Sequence, residues 1–149
     1  MSPRPEAYAL GDGEGELLRF ADAEFIVLAS SETTGGAFAI IEEGDPLDTP
    51  RHVHEREDEL FYVLDGEHEF RVGDAIFSAG PGAVVFGPRG VPHAHRRLVP
   101  RKGSFLTLCS PPGFEGFFRD LDAAERAGTL GPEVYAEVSR RYGIVWLEG

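Results

Sequence analysis

Two histidines stand one residue apart, His52 and His54, and Glu59 follows at the start of an apolar run. In a β-strand, side chains at positions i and i+2 project to the same face, so the two imidazoles can meet one ion. Glu59 can add a carboxylate from the next predicted strand. A second cluster, His93 and His95, follows a Pro/Gly-rich turn at the entry to another predicted strand, where His93 supplies a third imidazole.

Together these side chains have the donor chemistry of a transition-metal site. Three neutral imidazoles and one carboxylate suit a single Fe, Mn, Ni, Cu, Co or Zn ion per chain, whereas Mg²⁺ and Ca²⁺ prefer oxygen ligands. Four protein ligands leave positions open for water, dioxygen or substrate, which is typical of a catalytic site. The alternative is a surface or hydrogen-bonded histidine pair. The acidic run 55–58 indicates a solvated loop, and the lone His68 indicates an exposed side chain.

The elements that must position these residues are β-strands. Short β-branched or aromatic runs alternate with Gly, Pro and Asp turn signals, a pattern that predicts an all-β sandwich or barrel. The runs cover residues 17–20, 24–30, 37–42, 51–54, 59–64, 67–72, 75–78, 83–86, 93–98 and 103–109. Between two of them, Asp65-Gly66 predicts a two-residue hairpin loop, because both residues tolerate positive φ.

The chain changes character after Pro111-Pro112. Aromatic residues recur at helical spacing over residues 114–121, and a second helix is predicted to begin at Pro132 and to stop before Gly143. We therefore expect one domain in two parts. Residues 1–112 form a β-barrel with N-terminal strands, its ligand motifs lying within 44–97, and residues 113–149 form a helical extension packed on the same domain.

Composition excludes several partners. The formal net charge of −12 over 149 residues argues against nucleic-acid or anionic-membrane binding, because phosphate contact needs a Lys/Arg surface. The apolar runs are far shorter than a membrane-spanning helix, so a soluble protein is expected. A single cysteine, Cys109, and an N-terminus without signal-peptide features favour the cytoplasm.

The residues around both histidine clusters resemble the two sequence motifs of the cupin superfamily. The first motif, His-x-His, four residues, Glu, six residues, Gly, reads here as His52, His54, Glu59 and Gly66. The second, Gly, five residues, Pro-x-Gly, two residues, His, reads as Gly82, Pro88, Gly90 and His93. Two positions depart from the pattern, with Pro46 and Arg97 replacing a frequent glycine and a frequent asparagine. Neither position provides a ligand.

The resemblance implies a double-stranded β-helix, or jelly-roll barrel, in which His52, His54, Glu59 and His93 bind one metal ion. Cupins commonly dimerise through their sheets, so a homodimer is expected. An apolar stripe on the face opposite to Glu59, formed by residues 60, 62 and 64, would need covering by another strand, the tail helices or a partner subunit.

Chains with one motif pair and a short helical tail look similar to quercetin dioxygenase-like proteins. That resemblance implies a metal-dependent dioxygenase acting on a small aromatic or enolisable molecule, with Glu59 as ligand and general base.

His95 is either a hydrogen-bond partner of the site, a proton relay or a strand cap. Candidates for the cavity lining, on faces that alternation leaves open, are Phe38, Phe61, Val63, Val84, Phe86, Phe105 and Leu106. The alternatives are a non-redox isomerase or polyketide cyclase and a non-catalytic protein that binds a small ligand.

Overall fold

The computed structural model describes residues 4–44, 46–99 and 103–147, and this part of the chain is built mainly of antiparallel strands. The strands are β1 (Glu16–Phe20), β2 (Ala23–Ala29), β3 (Ala39–Gly44), β4 (His52–His54), β5 (Asp58–Asp65), β6 (His68–Val72), β7 (Ala75–Ala79), β8 (Val84–Gly87), β9 (His93–Arg97), β10 (Ser104–Ser110) and β11 (Ile144–Trp146). The helices are α1 (Ser31–Thr34), α2 (Glu115–Arg126) and α3 (Pro132–Arg141).

Two sheets face each other. One has the order β1-β2-β3-β10-β5-β8 and the other the order β11-β4-β9-β6-β7. Burial alternates along the strands, as in β2, where every second side chain from Ala23 onward is buried. The all-β jelly-roll prediction is confirmed, and each of the ten predicted runs coincides with a strand.

The predicted hairpin at Asp65-Gly66 is wrong. A turn does occur there, with Gly66 at φ +77°, but β5 pairs with β10 and β8, whereas β6 pairs with β7 and β9. The turn therefore carries the chain from one sheet to the other. The next connection does form a hairpin, which joins β6 to β7, where Val72 pairs with Ala75 across Gly73-Asp74. An Asp-Gly turn signal fixes the local backbone and leaves the strand partner open.

The C-terminal tail packs on the barrel. Both predicted helices are present as α2 and α3, and α2 lies against β1. The sequence did not predict β11, which pairs with β4 and so extends the histidine-bearing sheet. The division of the chain at residue 112 stays a prediction, and its outer ends, residues 1–3 and 148–149, lie outside the described residues.

Two buried clusters fill the interior. One joins β1, β2 and β3 to the tail and includes Phe20, Phe25 and Phe118, and the other lies deeper between the sheets around Phe61 and Phe105. Among the described residues, no helix is long and apolar enough to cross a membrane.

Candidate metal centre and its cavity

Three histidines converge inside the barrel because of strand alternation and strand pairing. In β4, His52 and His54 are buried, and Val53 between them is only half-buried. β9 lies beside β4, with the Cα atoms of His52 and His93 paired across the sheet. Nitrogen atoms of the three rings all lie within 4.8 Å of one another. The i, i+2 spacing and the second cluster thus bring three imidazoles to one point.

The far side of each ring is held by a hydrogen bond. Nδ1 of His52 donates to the Pro50 carbonyl at 2.8 Å, and Nδ1 of His93 lies 3.4 Å from the Val91 carbonyl. A carbonyl oxygen only accepts, so the proton of each neutral ring resides on Nδ1. The Nε2 lone pairs are therefore free to bind a cation, an arrangement that metal-binding histidines generally show.

Glu59 completes the cluster. Its side chain is buried in β5, with Oε1 2.6 Å from Nε2 of His54 and 3.4 Å from Nε2 of His93. Because the His93 ring proton is on Nδ1, Nε2 of His93 and Oε1 of Glu59 have no hydrogen to share, and Nε2 of His93 lacks a hydrogen-bond partner among the described residues. Orphaned buried polar atoms are costly. A divalent cation between them would satisfy both, so the residues present fit a metal ion.

The charges of the site are strongly coupled. Burial alone would lower the pKa of His54, but the Glu59 and Glu57 carboxylates overcome it and raise that pKa to about 9. Burial, with His93 and His54 nearby, lowers the pKa of His52 to about 3. Burial would raise the pKa of Glu59, and the adjacent His54 and His93 hold it well below its usual range. Without an ion, His54 therefore keeps a proton that a metal would displace.

Glu57 is a site residue that the sequence did not predict. The acidic run 55–58 was expected to be a solvated loop, which is wrong for Glu57, because its side chain is buried and its Oε1 accepts a hydrogen bond from Nδ1 of His54 at 2.8 Å. Its neighbour Glu55 is exposed. Nothing in the local sequence separates the two glutamates, since burial depends on how the loop folds over β4.

A cavity of about 200 Å³ opens beside the histidines. The barrel contributes Phe20, Phe25, Glu43, Leu47, Asp48, Thr49, Pro50, His52, His54, Glu59, Phe61, His93 and His95, and the tail contributes Phe114, Phe117, Phe118, Tyr135, Ile144 and Trp146. Trp146 packs against His52 with ring centroids 4.8 Å apart, and Phe114 meets His54 edge-on at 4.5 Å. The tail therefore forms an aromatic wall over the predicted ligands.

Several predicted lining residues lie elsewhere. Phe38, Val84 and Phe86 were candidates for the cavity lining, and they do not line it, since their side chains are 36%, 54% and 53% exposed. In β8 the alternate residue Val85 is the one that is buried. Alternation fixes which residues share a face but does not say which face points inward.

The remaining predicted residues are inside. Phe61 lines the cavity, whereas Val63 and Phe105 are buried next to it in the deeper cluster. Leu106 is half-buried on the opposite face of β10 and does not line the cavity.

The two other histidines also face inward. His95 is buried, lines the cavity and packs edge-on against Phe105 with centroids 5.1 Å apart. Its role as a hydrogen-bond partner or proton relay stays a prediction. His68 was expected to be exposed, which is wrong, because it is 1% exposed with its Nε2 2.9 Å from the Asp65 carbonyl.

A second carboxyl, Glu43, lies in the cavity wall and was not predicted as a site residue. Burial raises its pKa to about 7, partly opposed by a hydrogen bond from Thr107. Thr107 Oγ1 donates to Oε2 of Glu43 at 2.6 Å. The cavity therefore contains a titratable group besides the histidine cluster.

The fold and the histidine cluster define a jelly-roll protein with a candidate metal centre inside the barrel. Residues 37–109 match the family model described as cupin domain. This match and the jelly-roll fold support a small cupin.

A curated relative is quercetin 2,3-dioxygenase from Bacillus subtilis (strain 168), 28% identical over 116 residues, which are 76% of this chain and 34% of the relative. The chain therefore spans about a third of the length of that relative. Two similar solved structures are KdgF from Halomonas sp. and the polyketide cyclase RemF from Streptomyces resistomycificus. KdgF has a TM-score of 0.62 at 17% identity, over 74% of this chain and 99% of that one. RemF has a TM-score of 0.58 at 23% identity, over 70% and 79%. At these identities the two structures support the fold alone.

Proposed function

We propose that this chain is a metal-dependent oxidoreductase, a dioxygenase similar to quercetinases that acts on a small aromatic or enolisable substrate. The observation that carries the proposal is the convergence of three imidazoles and the Glu59 carboxylate on one buried point beside an aromatic cavity, with Nε2 of His93 left without a hydrogen-bond partner among the described residues. The similarity to quercetin 2,3-dioxygenase supports the choice of reaction.

In this proposal His52, His54, Glu59 and His93 hold one divalent transition metal ion. Such an ion, when bound, supplies Lewis acidity and, for a redox-active metal, access to dioxygen. The hydrogen bonds from Nδ1 of His52 and His54 hold the rings in place and keep their Nε2 atoms directed at the ion.

Glu59 is the proposed general base. Its carboxylate lines the cavity beside the three histidines, within reach of a bound substrate, so it can take a proton from a substrate hydroxyl or from a carbon next to a carbonyl. The aromatic wall of Phe114 and Trp146 would stack on the substrate ring and exclude water from the reacting atoms. A neutral aromatic substrate matches this lining better than a phosphorylated one.

A non-redox isomerase or cyclase is the second candidate, and the Glu43 carboxyl favours it. A carboxyl with a pKa of about 7 in the same cavity can donate a proton to one end of a substrate while Glu59 removes one elsewhere. Such a reaction consumes no oxygen. Turnover under strictly anaerobic conditions therefore separates the two candidates.

The test begins with elemental analysis of protein purified without a histidine tag or chelator. Near-stoichiometric Fe, Mn, Ni, Cu or Co, with oxygen uptake on a panel of flavonols and smaller phenols, is the expected result. Stoichiometric zinc with anaerobic turnover would favour the isomerase or cyclase, and a chain that binds no metal under any loading condition would refute the enzyme proposal.

The ligand assignment has its own test. His54→Ala combined with Glu59→Ala should abolish stoichiometric metal binding while the circular dichroism of the barrel is kept. Glu55→Ala, which removes an exposed carboxylate of the same loop, is the matched control and should bind metal normally. Full metal occupancy in the double variant would mean that the assigned ligands are wrong.

We also propose that the chain forms a homodimer in the cytoplasm. Tyr62, Val84 and Phe86 are each more than two-fifths exposed, and the register of β5 with β8 places them side by side on the outer face of the larger sheet. A contiguous apolar patch is typical of a protein interface. The buried thiol of Cys109 fits a reducing compartment.

A further inference from the structure

The inward-facing residues of β3, β10 and β5 stand in successive rows across the larger sheet. The first row contains Cys109 and Glu59, the middle row contains Ile41 and Thr107, and the third row contains Glu43 and Phe105. Neighbouring rows are two residues apart along the strands, about 7 Å. Two carboxyls therefore occupy one interior face, on opposite sides of the Thr107 row.

Glu43 reaches back toward the middle row, where Oε2 accepts the Thr107 hydroxyl at 2.6 Å. The side chain is 7% exposed, and its exposed part lines the same cavity as the three histidines. A carboxyl offers about four acceptor positions, and the Thr107 bond fills one of them. A buried carboxyl with unused hydrogen-bonding capacity in a cavity wall is a candidate ligand-binding group.

We propose that Glu43 is a second acid–base residue, which binds the end of the substrate remote from the metal. The inference rests on the proposed function, because it takes the other end of the substrate to be held at the histidine cluster. The carboxyl of Glu43 meets Thr107, which stands one row and one strand from Glu59, about 7 Å along the strands and about 5 Å across them, so the two carboxyls lie roughly 8 Å apart. A single six-membered ring with an oxygen at each end, hydrogen-bonded at the Glu43 end, spans such a distance.

The cavity volume indicates the same substrate class. A cavity of about 200 Å³ is smaller than the roughly 300–1,000 Å³ of pockets that hold drug-sized ligands, which favours a ligand of about one substituted ring. The preferred ligand is therefore a one-ring compound with oxygen groups on opposite sides, such as 1,4-dihydroxybenzene (hydroquinone) or an enol of similar size. A three-ring flavonol would have to leave part of its structure outside this volume.

The proposed step is a proton transfer. The O–H bond at the remote end of the ligand breaks, the proton binds a carboxylate oxygen of Glu43, and the electron pair stays on the ligand oxygen; the reverse step returns the proton. Burial raises the pKa of Glu43 to about 7, with Thr107 and His54 lowering it and Glu59 raising it, so both forms are populated near neutral pH. The other titratable groups that line the same cavity are Asp48 from the segment before β4, His52 from β4, His93 and His95 from β9, and Tyr135 from α3.

The test uses the zinc-loaded full chain under anaerobic conditions, so that no oxidation competes with binding. Calorimetry measures the affinities of hydroquinone and of phenol, which lacks the second hydroxyl. We expect hydroquinone to bind more than about tenfold tighter to the wild type. Glu43→Leu with Thr107→Val, which replaces both hydrogen-bond partners by apolar groups, should lose this preference. Glu42→Leu, on the opposite face of β3, is the matched control and should keep it.

Glu43→Gln provides a second readout that a purely structural role would not change. Glutamine can still hydrogen-bond the ligand but cannot exchange a proton, so the variant should retain part of the preference for hydroquinone. It should also lose the change in hydroquinone affinity that the wild type shows from about pH 6 to about pH 8.

Three results would overturn the inference. They are equal affinity for both ligands in the zinc-loaded wild type, a preference that survives in the Leu/Val double variant, and a pH dependence that is unchanged in Glu43→Gln. If the wild type binds no zinc, the proposed function fails, but the inference on Glu43 can still be tested. Hydroquinone or phenol is then added to the metal-free chain, and difference infrared spectroscopy follows the C=O band of a protonated carboxyl. A shift of that band with hydroquinone, absent in Glu43→Gln, would support the inference on Glu43 alone, and no shift would overturn it.

Discussion

Glu57→Gln separates the charge of Glu57 from its hydrogen bond. The carboxylate accepts the Nδ1 proton of His54 at 2.8 Å, with both side chains buried. Glutamine can accept the same hydrogen bond through its carbonyl oxygen, but it carries no negative charge, so His54 becomes a weaker donor to a metal ion. Loss of such a partner typically costs about 10- to 100-fold in metal affinity.

Competition between proton and metal makes this loss depend on pH. The pKa of His54 is raised to about 9, so below that pH an incoming ion must displace a proton. At a pH near 7 the competition weakens wild-type binding by roughly 100-fold, or about 2.7 kcal/mol. Glu57→Gln lowers this pKa and so reduces the competition. The metal affinity of the wild type should therefore rise with pH up to about 9 and then level. The ratio of the wild-type affinity to the Glu57→Gln affinity should be greatest near pH 9 and should decrease toward neutral pH.

Zinc affinity measured against a chromophoric chelator, at several values from about pH 7 to about pH 9, tests this reasoning. Glu55→Gln removes one negative charge from the same loop at an exposed position and should follow the wild type at every pH. A loss in Glu57→Gln that is the same at every pH would refute the proton competition. Equal effects of Glu55→Gln and Glu57→Gln would refute the specific role of Glu57.

Three further outcomes are expected. Trp146 is the single tryptophan, and its ring centroid lies 4.8 Å from that of His52. Bound Cu²⁺ should therefore quench the tryptophan fluorescence strongly, and bound Zn²⁺ should not. Unquenched emission from copper-loaded protein would contradict this placement of Trp146. Phe118→Ala should lower the free energy of unfolding, measured in urea, by about 3–5 kcal/mol, because Phe118 is buried against Phe20 and Phe25. Ile76→Ala, at a largely exposed position, should change it by less than about 0.5 kcal/mol. Similar effects of the two variants would contradict the core assignment. Phe86→Lys should convert the proposed dimer to a monomer in light scattering without loss of metal, and a wild type that is already monomeric would refute the dimer.

The sequence predicted those features that residues close together in the chain determine. The spacing of His52 and His54 places both rings on one face of any strand, and turn residues mark the strand ends, so ten strands and three histidines were found at nearly the right positions. The sequence did not settle which face of each strand is inward. Phe86 and Val85 are both good core residues, and only the packing of β8 against its neighbours decides that Val85 is buried.

Long-range pairing accounts for the other differences. The predicted run 37–42 ended before Glu43, since two glutamates followed by glycine resemble a solvated strand end. Glu43 is buried because β10 pairs with β3 and presents Thr107 to it, a contact between residues 64 positions apart. The short β11 likewise forms only because β4 offers it an edge.

The predicted metal ligands and the aromatic wall of the cavity lie in different parts of this chain. The family match ends at residue 109, and it includes all four predicted ligands, whereas the aromatic wall over them begins at Phe114. Because β11 pairs with β4, Trp146 is tied to the strand that bears His52, and a change in the tail can reshape the cavity while the ligands stay in place. A cupin barrel with the predicted ligand set therefore does not by itself determine a particular substrate. In this chain the substrate should be decided by residues 114–146 on one side and by Glu43 on the other.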